Sequence, residues 1–283
     1  MRFKSVAVIG KYSNTNLDEA VIELTQYLND KGITTYANTA TDDLNNFIQS
    51  LIGKIDLVIV VGGDGTLLSV ARMIVDHDLA ILGINQGNLG FMTDIPLNSM
   101  LEEVNKVIIT GKYSIEKRAL LNAKVTRNNQ IIHSAIALND VVISRGSSGN
   151  MIEFDISINH EFVLSQKSDG VIFATPTGST AYSLASGGPI LHPGTSVFSI
   201  VPICPQSLSN RPLVVDDSGQ IEFILTKDNN TKIHFDGQEY FDLICGDQII
   251  LSKHHKMLNL IHPTSYNYYH TLRSKLDWSK RVS

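Results

Sequence analysis

Cysteine is scarce in this chain of 283 residues: there are two, Cys204 and Cys245, with no CxxC pair. That excludes a disulfide framework and a cysteine-built zinc site. Both are expected to be reduced thiols that act as small buried hydrophobes. Long apolar runs are missing too. No stretch approaches the roughly 18 unbroken apolar residues that a membrane-spanning helix needs. The opening MRFKSVAVIG is too short and too polar for a signal peptide. Lys and Arg never cluster, and the formal net charge is -5. A broad nucleic-acid surface, which rests on clustered cations, is thereby disfavoured. The nine histidines form no HExxH and no Cys/His metal spacing, and no GxSxG marks a hydrolase. A soluble cytoplasmic protein is expected, with neither nucleic acid nor membrane as partner.

The composition that remains is globular, with 43% hydrophobic and 18% charged residues. The length suits two domains, because single cores stop growing near this size. Residues 1–95 alternate in period. FKSVAVIG, ITTYA, DLVIVV and LAILGIN read as strands, the last two apolar on both faces. Between them, NLDEAVIELTQYLNDKG carries Leu17, Val21, Leu24 and Leu28 at helical spacing and stops at Gly32. TDDLNNFIQSLIGK predicts a helix opening on a Thr or Asp cap, and TLLSVARMIVDHD predicts another starting near Thr66. This rhythm implies a doubly wound α/β domain with right-handed crossovers.

After residue 95 the pattern changes. LNSMLEEVNKVIITGK predicts one more helix. Then short segments of alternating polarity follow, split by RNNQ, DDSGQ and KDNN. A β-rich, sandwich-like second domain is expected over 96–264. The tail 265–283 turns helical, with Tyr269, Leu272, Leu276 and Trp278 as its stripe, and is assigned to the α/β domain.

In DLVIVVGGDGTLLSVAR, a buried strand runs into Gly62, Gly63, Asp64, Gly65 and Thr66, and a helix follows. Ligands of open α/β sheets bind at that strand end. The glycines permit positive φ and close approach of a ligand to the backbone. The helix start offers N–H groups and the positive end of its dipole to an anion. Yet neither GxxxxGK[ST] nor GxGxxG is present. Asp64 stands where repulsion from a phosphate would be strong. Two jobs reconcile the charge with the loop: holding Mg²⁺ that bridges phosphates, or taking a proton from an attacking hydroxyl. Both belong to phosphoryl transfer. The plain alternative is a strand-to-helix turn capped by Asp64.

Three further stretches carry the same character. LGINQGNLGFMTD repeats strand-then-glycine at Gly87 and Gly90, with Asn85 and Asn88 suited to ribose or phosphate; an ordinary Asn-Gly turn is the alternative. LNDVVIS puts Asn139 and Asp140 before a β run, suited to sugar hydroxyls or to a turn cap. SDGVIFATPTGSTAYSLASGGPILHP is dense in small polar residues, which is costly in conformational entropy unless the backbone wraps a ligand. Asp169 and Tyr182 are its natural polar and stacking contacts.

Together these stretches resemble the NAD kinase family of bacterial type: GGDGT at 62–66, NQGNLGF at 85–91, Asn139-Asp140, DGVIFATPTGSTAYSLASGGPI, and the tail LNLIHPTSYNYYHTLRSKLDWSK. The resemblance implies ATP-dependent phosphorylation of the 2′-hydroxyl of the adenosine ribose of NAD, giving NADP. It implies a divalent metal (Mg), homodimers or homotetramers, and an α/β domain followed by a β-rich one. It makes Asp64 the catalytic base. It assigns Gly65, Asn139, Asp140, Asn150, Lys167, Asp169, Thr180, Ala181, Tyr182, Ser183, Leu184, Ala185 and Gln238 to NAD. No residue is assigned to the metal, and Arg72 and Arg211 are the candidates for the ATP phosphates.

Three departures stand out. Asp140 is one methylene shorter than the family's usual Glu. Lys167 replaces an Arg and loses its planar fork. Gln206 replaces a His. Altered affinity is the expectation. The rivals are a lipid or sugar kinase using the same GGDGT loop, and a non-catalytic nucleotide sensor. The first gives no account of PTGSTAYS; the second gives no reason for a carboxylate beside phosphate.

Overall fold

The computed structural model describes residues 3–10, 15–38, 43–87, 90–146 and 149–278, with the side chains of 15–18 outside that description. Asn88 and the side chain of Leu17 therefore lie outside the described residues. The chain divides into two compact units, 1–117 with 258–283, and 118–257.

The first unit is built on a mostly parallel sheet. Its strands are β1 (Ser5–Gly10), β2 (Thr34–Ala37), β3 (Leu57–Gly62), β4 (Ala80–Asn85), the short β5 (Ile95–Pro96) and β6 (Tyr113–Arg118). The strand Leu258–Pro263 returns to lie between β4 and β6, giving the order β2-β1-β3-β4-(258–263)-β6, with β5 on β4. Every residue of β3 and β4 is buried, as central parallel strands covered on both faces require. Helices α1 (Thr15–Asp30), α2 (Leu44–Leu51) and α3 (Asp64–Ile74) connect them. On α1, Val21, Leu24 and Leu28 are buried in the core. Gly32 stops the helix at φ +78°, a left-handed conformation open to glycine. Asp43 caps α2 by accepting from Asn46 N at 2.8 Å.

The second unit is a β sandwich. Its strands are β7 (Leu121–Arg127), β8 (Gln130–Ala137), β9 (Asp140–Ser144), β10 (Ile152–Ile158), β11 (Glu161–Ser168), β12 (Gly170–Ala174), β13 (Val197–Ile203), β14 (Leu213–Asp216), β15 (Ile221–Lys227), β16 (Lys232–Phe235), β17 (Glu239–Asp242) and β18 (Gln248–Lys253). They form two antiparallel sheets, ordered β11-β10-β15-β18-β7-β8 and β14-β13-β12-β9-β16-β17. Inward residues of both, among them Val125, Phe154 and Phe223 from one and Ile143, Phe173 and Phe235 from the other, share one core. That is the packing expected of alternating strands.

Four expectations change. The division falls after Lys117 and after Met257, not at 95/96 and 264/265. The reason is the sheet: β5, β6 and the strand Leu258–Pro263 all join the parallel layer, and polarity alone does not say which sheet a strand joins. The stretch after β5 is helical in three short pieces, Leu97–Ser99, Met100–Val104 and a wider final turn Asn105–Ile109. In the C-terminal helix Tyr268–Lys275, Leu272 is buried, while Tyr269 and, beyond its end, Trp278 are mostly exposed. Both cysteines are exposed free thiols, not buried hydrophobes; Cys204 sits in a left-handed turn at φ +46°. No helix among the described residues is long and apolar enough to cross a membrane.

Candidate active site

In the first unit, β3 delivers the GGDGT loop at its C-terminal end. Gly63 is the N-cap residue of α3, and Asp64 opens the helix, two residues earlier than expected. Asp64 is not the cap. Among Gly62, Gly63 and Gly65, none has positive φ, so the loop does not use glycine's left-handed freedom. What Gly63 supplies is space: nothing lies within 4 Å of where its Cβ would be, leaving the helix start accessible.

Asp64 is gripped by the next loop of the sheet edge. Its Oδ2 accepts from Phe91 N at 2.9 Å. Its Oδ1 accepts from Met92 N at 3.2 Å, Thr93 N at 3.1 Å and Thr93 Oγ1 at 2.9 Å. These donors fix the carboxylate in one orientation at the start of α3. A carboxylate oxygen offers two lone pairs. With three donors Oδ1 is saturated, whereas Oδ2 keeps one acceptor site. Asp64 can therefore meet one incoming hydrogen or one further ligand, through Oδ2.

Asn85 serves the clasp rather than a ligand. It is buried, its Nδ2 donates to Thr93 Oγ1 at 2.8 Å, and its Oδ1 accepts from Gly87 N at 2.6 Å. These contacts fit the ordinary Asn-Gly turn, the alternative for this stretch. Gly90 allows the loop to close: a Cβ there would overlap both Asp64 Oδ1 and Thr93 Oγ1. Gly90→Ala is accordingly expected to lower kcat by about 100-fold, the scale of a displacement of about 1 Å at a reacting group. Steady-state kinetics check this, with circular dichroism to show the fold intact.

In the second unit, Asn139 and Asp140 stand at the start of β9. Asp236, at the end of β16, accepts from Leu138 N at 3.0 Å through Oδ2, and from Asn139 N at 2.7 Å and Asp140 N at 3.1 Å through Oδ1. Thr175 N donates to Asn139 O at 2.9 Å, and Thr175 Oγ1 donates to Leu138 O at 2.5 Å. Gly178 lies against the same turn; any Cβ there would overlap the Asn139 carbonyl. The pair is thus held from three sides.

A cavity of about 360 Å³ runs along β9 from Asn139 to Ser144, and Asp140, Ala181, Tyr182, His234 and Asp236 also line it. Asn139 Oδ1 is buried with no hydrogen-bond partner among the described residues, an uncommon state for a buried acceptor. Burial, and then the Asp236 charge, push the Asp140 carboxyl up to about 7. Burial, and then Lys232, hold the His234 imidazole below its ordinary value. Near neutrality Asp140 is only about half ionised and His234 is neutral, so the cavity wall carries less charge than its titratable residues would give in water. Such a wall suits the sugar and base of a nucleotide better than its phosphates.

The other expected residues are distributed differently. Of the run Thr180 to Ala185, Ala181 and Tyr182 line the cavity. Tyr182 is half exposed, as a stacking platform requires. Ser183 is buried under Gly188, and Thr180 Oγ1 donates to Thr177 O at 3.3 Å. Asp169 stands just before β12, whose Gly170 pairs with Ser144. Its carboxylate is forked by Arg145, with Nε at 2.7 Å. Lys167 is on β11 in the other sheet, 3.5 Å from Glu153. Asn150 is exposed, and its carbonyl accepts from Asn229 Nδ2. Gln238 is exposed and does not line the cavity. Arg211 bonds the carbonyls of its own turn, Leu208 and Asn210. Arg72 lies eight residues along α3 from Asp64, about 12 Å at 1.5 Å per residue. Arg72 is thus not beside the GGDGT loop in its unit, and Arg211 belongs to the other unit.

Sequence reading missed Asp236, Thr175, Thr93 and His234. Asp236 precedes the Gly237-Gln238 pair that drew attention to Gln238, and Thr93 closes the GFMT run after Gly90. Local sequence holds no sign of the partners they meet.

Comparison with known proteins finds two domain models, the second of which runs past Met257 into the strand Leu258–Pro263. A model of the ATP-NAD kinase N-terminal domain matches residues 6–113, and one of the ATP-NAD kinase C-terminal domain matches 138–263. The NAD kinase of Chromobacterium violaceum is 47% identical over 287 aligned positions, spanning 99% of this chain and 98% of that protein. That of Laribacter hongkongensis is 44% identical, with the same coverage. Among solved structures, yeast NADH kinase complexed with NADH is similar with a TM-score of 0.88 and 25% identity, covering 100% of this chain and 90% of that one. An NAD kinase from Archaeoglobus fulgidus in complex with ATP has a TM-score of 0.76 at 22% identity, covering 95% of this chain and 99% of that one. It shares the fold.

Proposed function

This chain belongs to the ATP-NAD kinase family, and we propose that its phosphorylation of NAD by ATP runs with Asp64 as general base on the 2′-hydroxyl of the adenosine ribose. The observation that carries this reading is the hydrogen-bond saturation of Asp64 Oδ1 beside an Oδ2 with one site open. That open site suits a hydroxyl proton. As the ribose oxygen bonds to the γ-phosphorus, its proton passes to Oδ2, and the bond from phosphorus to the ADP oxygen breaks. A carboxylate with one free site is poorly suited to chelate a cation as well. The cation therefore enters as magnesium-bound ATP, neutralising the phosphates. No residue of the chain is assigned to hold it.

NAD is assigned to Asn139, Asp140, Ala181 and Tyr182, with Gly65 beside it at the phosphoryl-transfer loop. Asn150, Lys167, Asp169, Thr180, Ser183, Leu184, Ala185 and Gln238 complete the set by family likeness. For these the unit's own contacts offer less support, Ser183 least. A homodimer or homotetramer in the cytoplasm belongs to the same reading.

The test is ATP consumption with NAD, diacylglycerol or fructose 6-phosphate as acceptor, each with and without a chelator of divalent cations. Turnover with NAD alone, abolished by the chelator, is expected. Turnover with the lipid or the sugar instead would reject the assignment. Binding of NAD with no turnover would favour a sensor.

A further inference from the structure

We infer that Asp236 is a positioning residue of the dinucleotide site: its carboxylate sets the backbone of the Asn139–Asp140 pair against the ligand. The inference rests on the assignment of that pair to NAD.

Three consecutive backbone N–H groups, of Leu138, Asn139 and Asp140, converge on this single carboxylate at 2.7–3.1 Å. A free strand start would leave those donors to water, and the pair could then take several orientations. The return contact runs the other way, with Asp236 N donating to Asp140 O at 3.0 Å. Asp236 and Asp140 are thus joined through both backbone and side chain.

Asp236 has φ +52° and Gly237 has φ +64°. Two successive left-handed residues aim the carboxylate back over the start of β9. A non-glycine residue in that region is uncommon, and Asp and Asn tolerate it best. A hairpin turn of this kind between β16 and β17 suits Asp-Gly, Asn-Gly and Gly-Gly alike. Only an acid gives a turn residue two oxygens that accept and none that donates.

Asp236 also governs what Asp140 presents to the ligand. The groups that face Asp140 are Asp236 from the β16 end, His234 on β16 and Tyr182 from the short helix Tyr182–Ala185, all on the same cavity wall. Of these three side chains, Asp236 is the one whose negative charge opposes ionisation of Asp140. A protonated Asp140 both donates and accepts; an ionised one only accepts. Asp236 therefore sets both the place and the hydrogen-bonding character of the pair.

The experiment measures KM for NAD, and kcat, from pH 5.5 to 8.5 in the full-length protein, its Asp236→Asn and Asp236→Gly variants, and Asp140→Asn. Asn and Gly both tolerate the left-handed turn, so each should keep the fold. Asp236→Asn is expected to raise KM for NAD about tenfold, on the scale of losing a hydrogen bond to a charged group, with kcat within about threefold. The near-neutral step in the KM profile should move to lower pH in both Asp236 variants. In Asp140→Asn that step should vanish. If Asp140→Asn keeps the wild-type KM and profile, the assignment of the pair to NAD fails. If Asp140→Asn removes the step while both Asp236 variants keep the wild-type KM and profile, the positioning role of Asp236 is overturned.

Discussion

Replacing Asp64 by Asn is expected to reduce the turnover of NAD with ATP by about 10²- to 10⁴-fold, the usual yield of a positioned general base. NAD affinity, measured by calorimetry, should change far less. The amide can keep one oxygen toward Met92, Thr93 N and Thr93 Oγ1, but its NH₂ then confronts the Phe91 N–H that Oδ2 accepts at 2.9 Å. Some loss of stability follows, about 1–3 kcal/mol for one buried donor left unmet, read as a lower melting temperature. Thr93→Val separates the two effects. It removes the hydrogen bond from Thr93 Oγ1 to Oδ1, along with the one that Thr93 Oγ1 accepts from Asn85 Nδ2, and leaves the base in place. The general-base reading predicts a large loss in kcat for Asp64→Asn and a small one for Thr93→Val. The reverse ranking would make the clasp itself the functional element and Asp64 one of its struts.

The second large effect is on stability and concerns Asp140. Its carboxyl is raised from 3.8 to about 7, first by burial and then by Asp236. Between about pH 4 and pH 7, the folded chain binds a proton there that the unfolded chain has already released. Stability therefore falls as pH rises across that window, and the full penalty applies above about pH 7. A gap of about three units corresponds to something on the order of 4 kcal/mol. Asp140→Asn abolishes the penalty. Melting curves of the ligand-free proteins should coincide below about pH 4 and separate progressively up to about pH 7, with the variant the more stable. An Asp140→Asn variant no more stable at pH 8 than the parent would refute the buried, proton-holding Asp140. A stabilising change at a functional residue is the ordinary signature of a site that holds an unfavourable charge for its task.

Much of the fold was legible because local chemistry and tertiary placement agree. DLVIVV and LAILGIN are apolar on both faces, and they became β3 and β4, the buried centre of the parallel sheet. The alternating segments after residue 120 became strands of the sandwich. The joint between the units was misplaced because β6 and the strand Leu258–Pro263 have no local mark of membership. What assigns them is pairing with β4 and with each other, across long stretches of chain.

The candidate site divides in the same way. The candidate residues were determined by the sequence itself: an acid among glycines after a buried strand, an Asn-Asp pair before a β run, and a small-residue loop that carries Tyr182. Periodicity and composition act over a few neighbours, and these features are of that range. The folded chain alone decided which groups restrain them. Asp64 is held by residues 27–29 positions away, and Asn139 by an aspartate 97 positions away. Hydrogen bonds depend on angles and on distances near 3 Å, and those are set by strand register and turn handedness. Neither register nor handedness is written in any short stretch of residues.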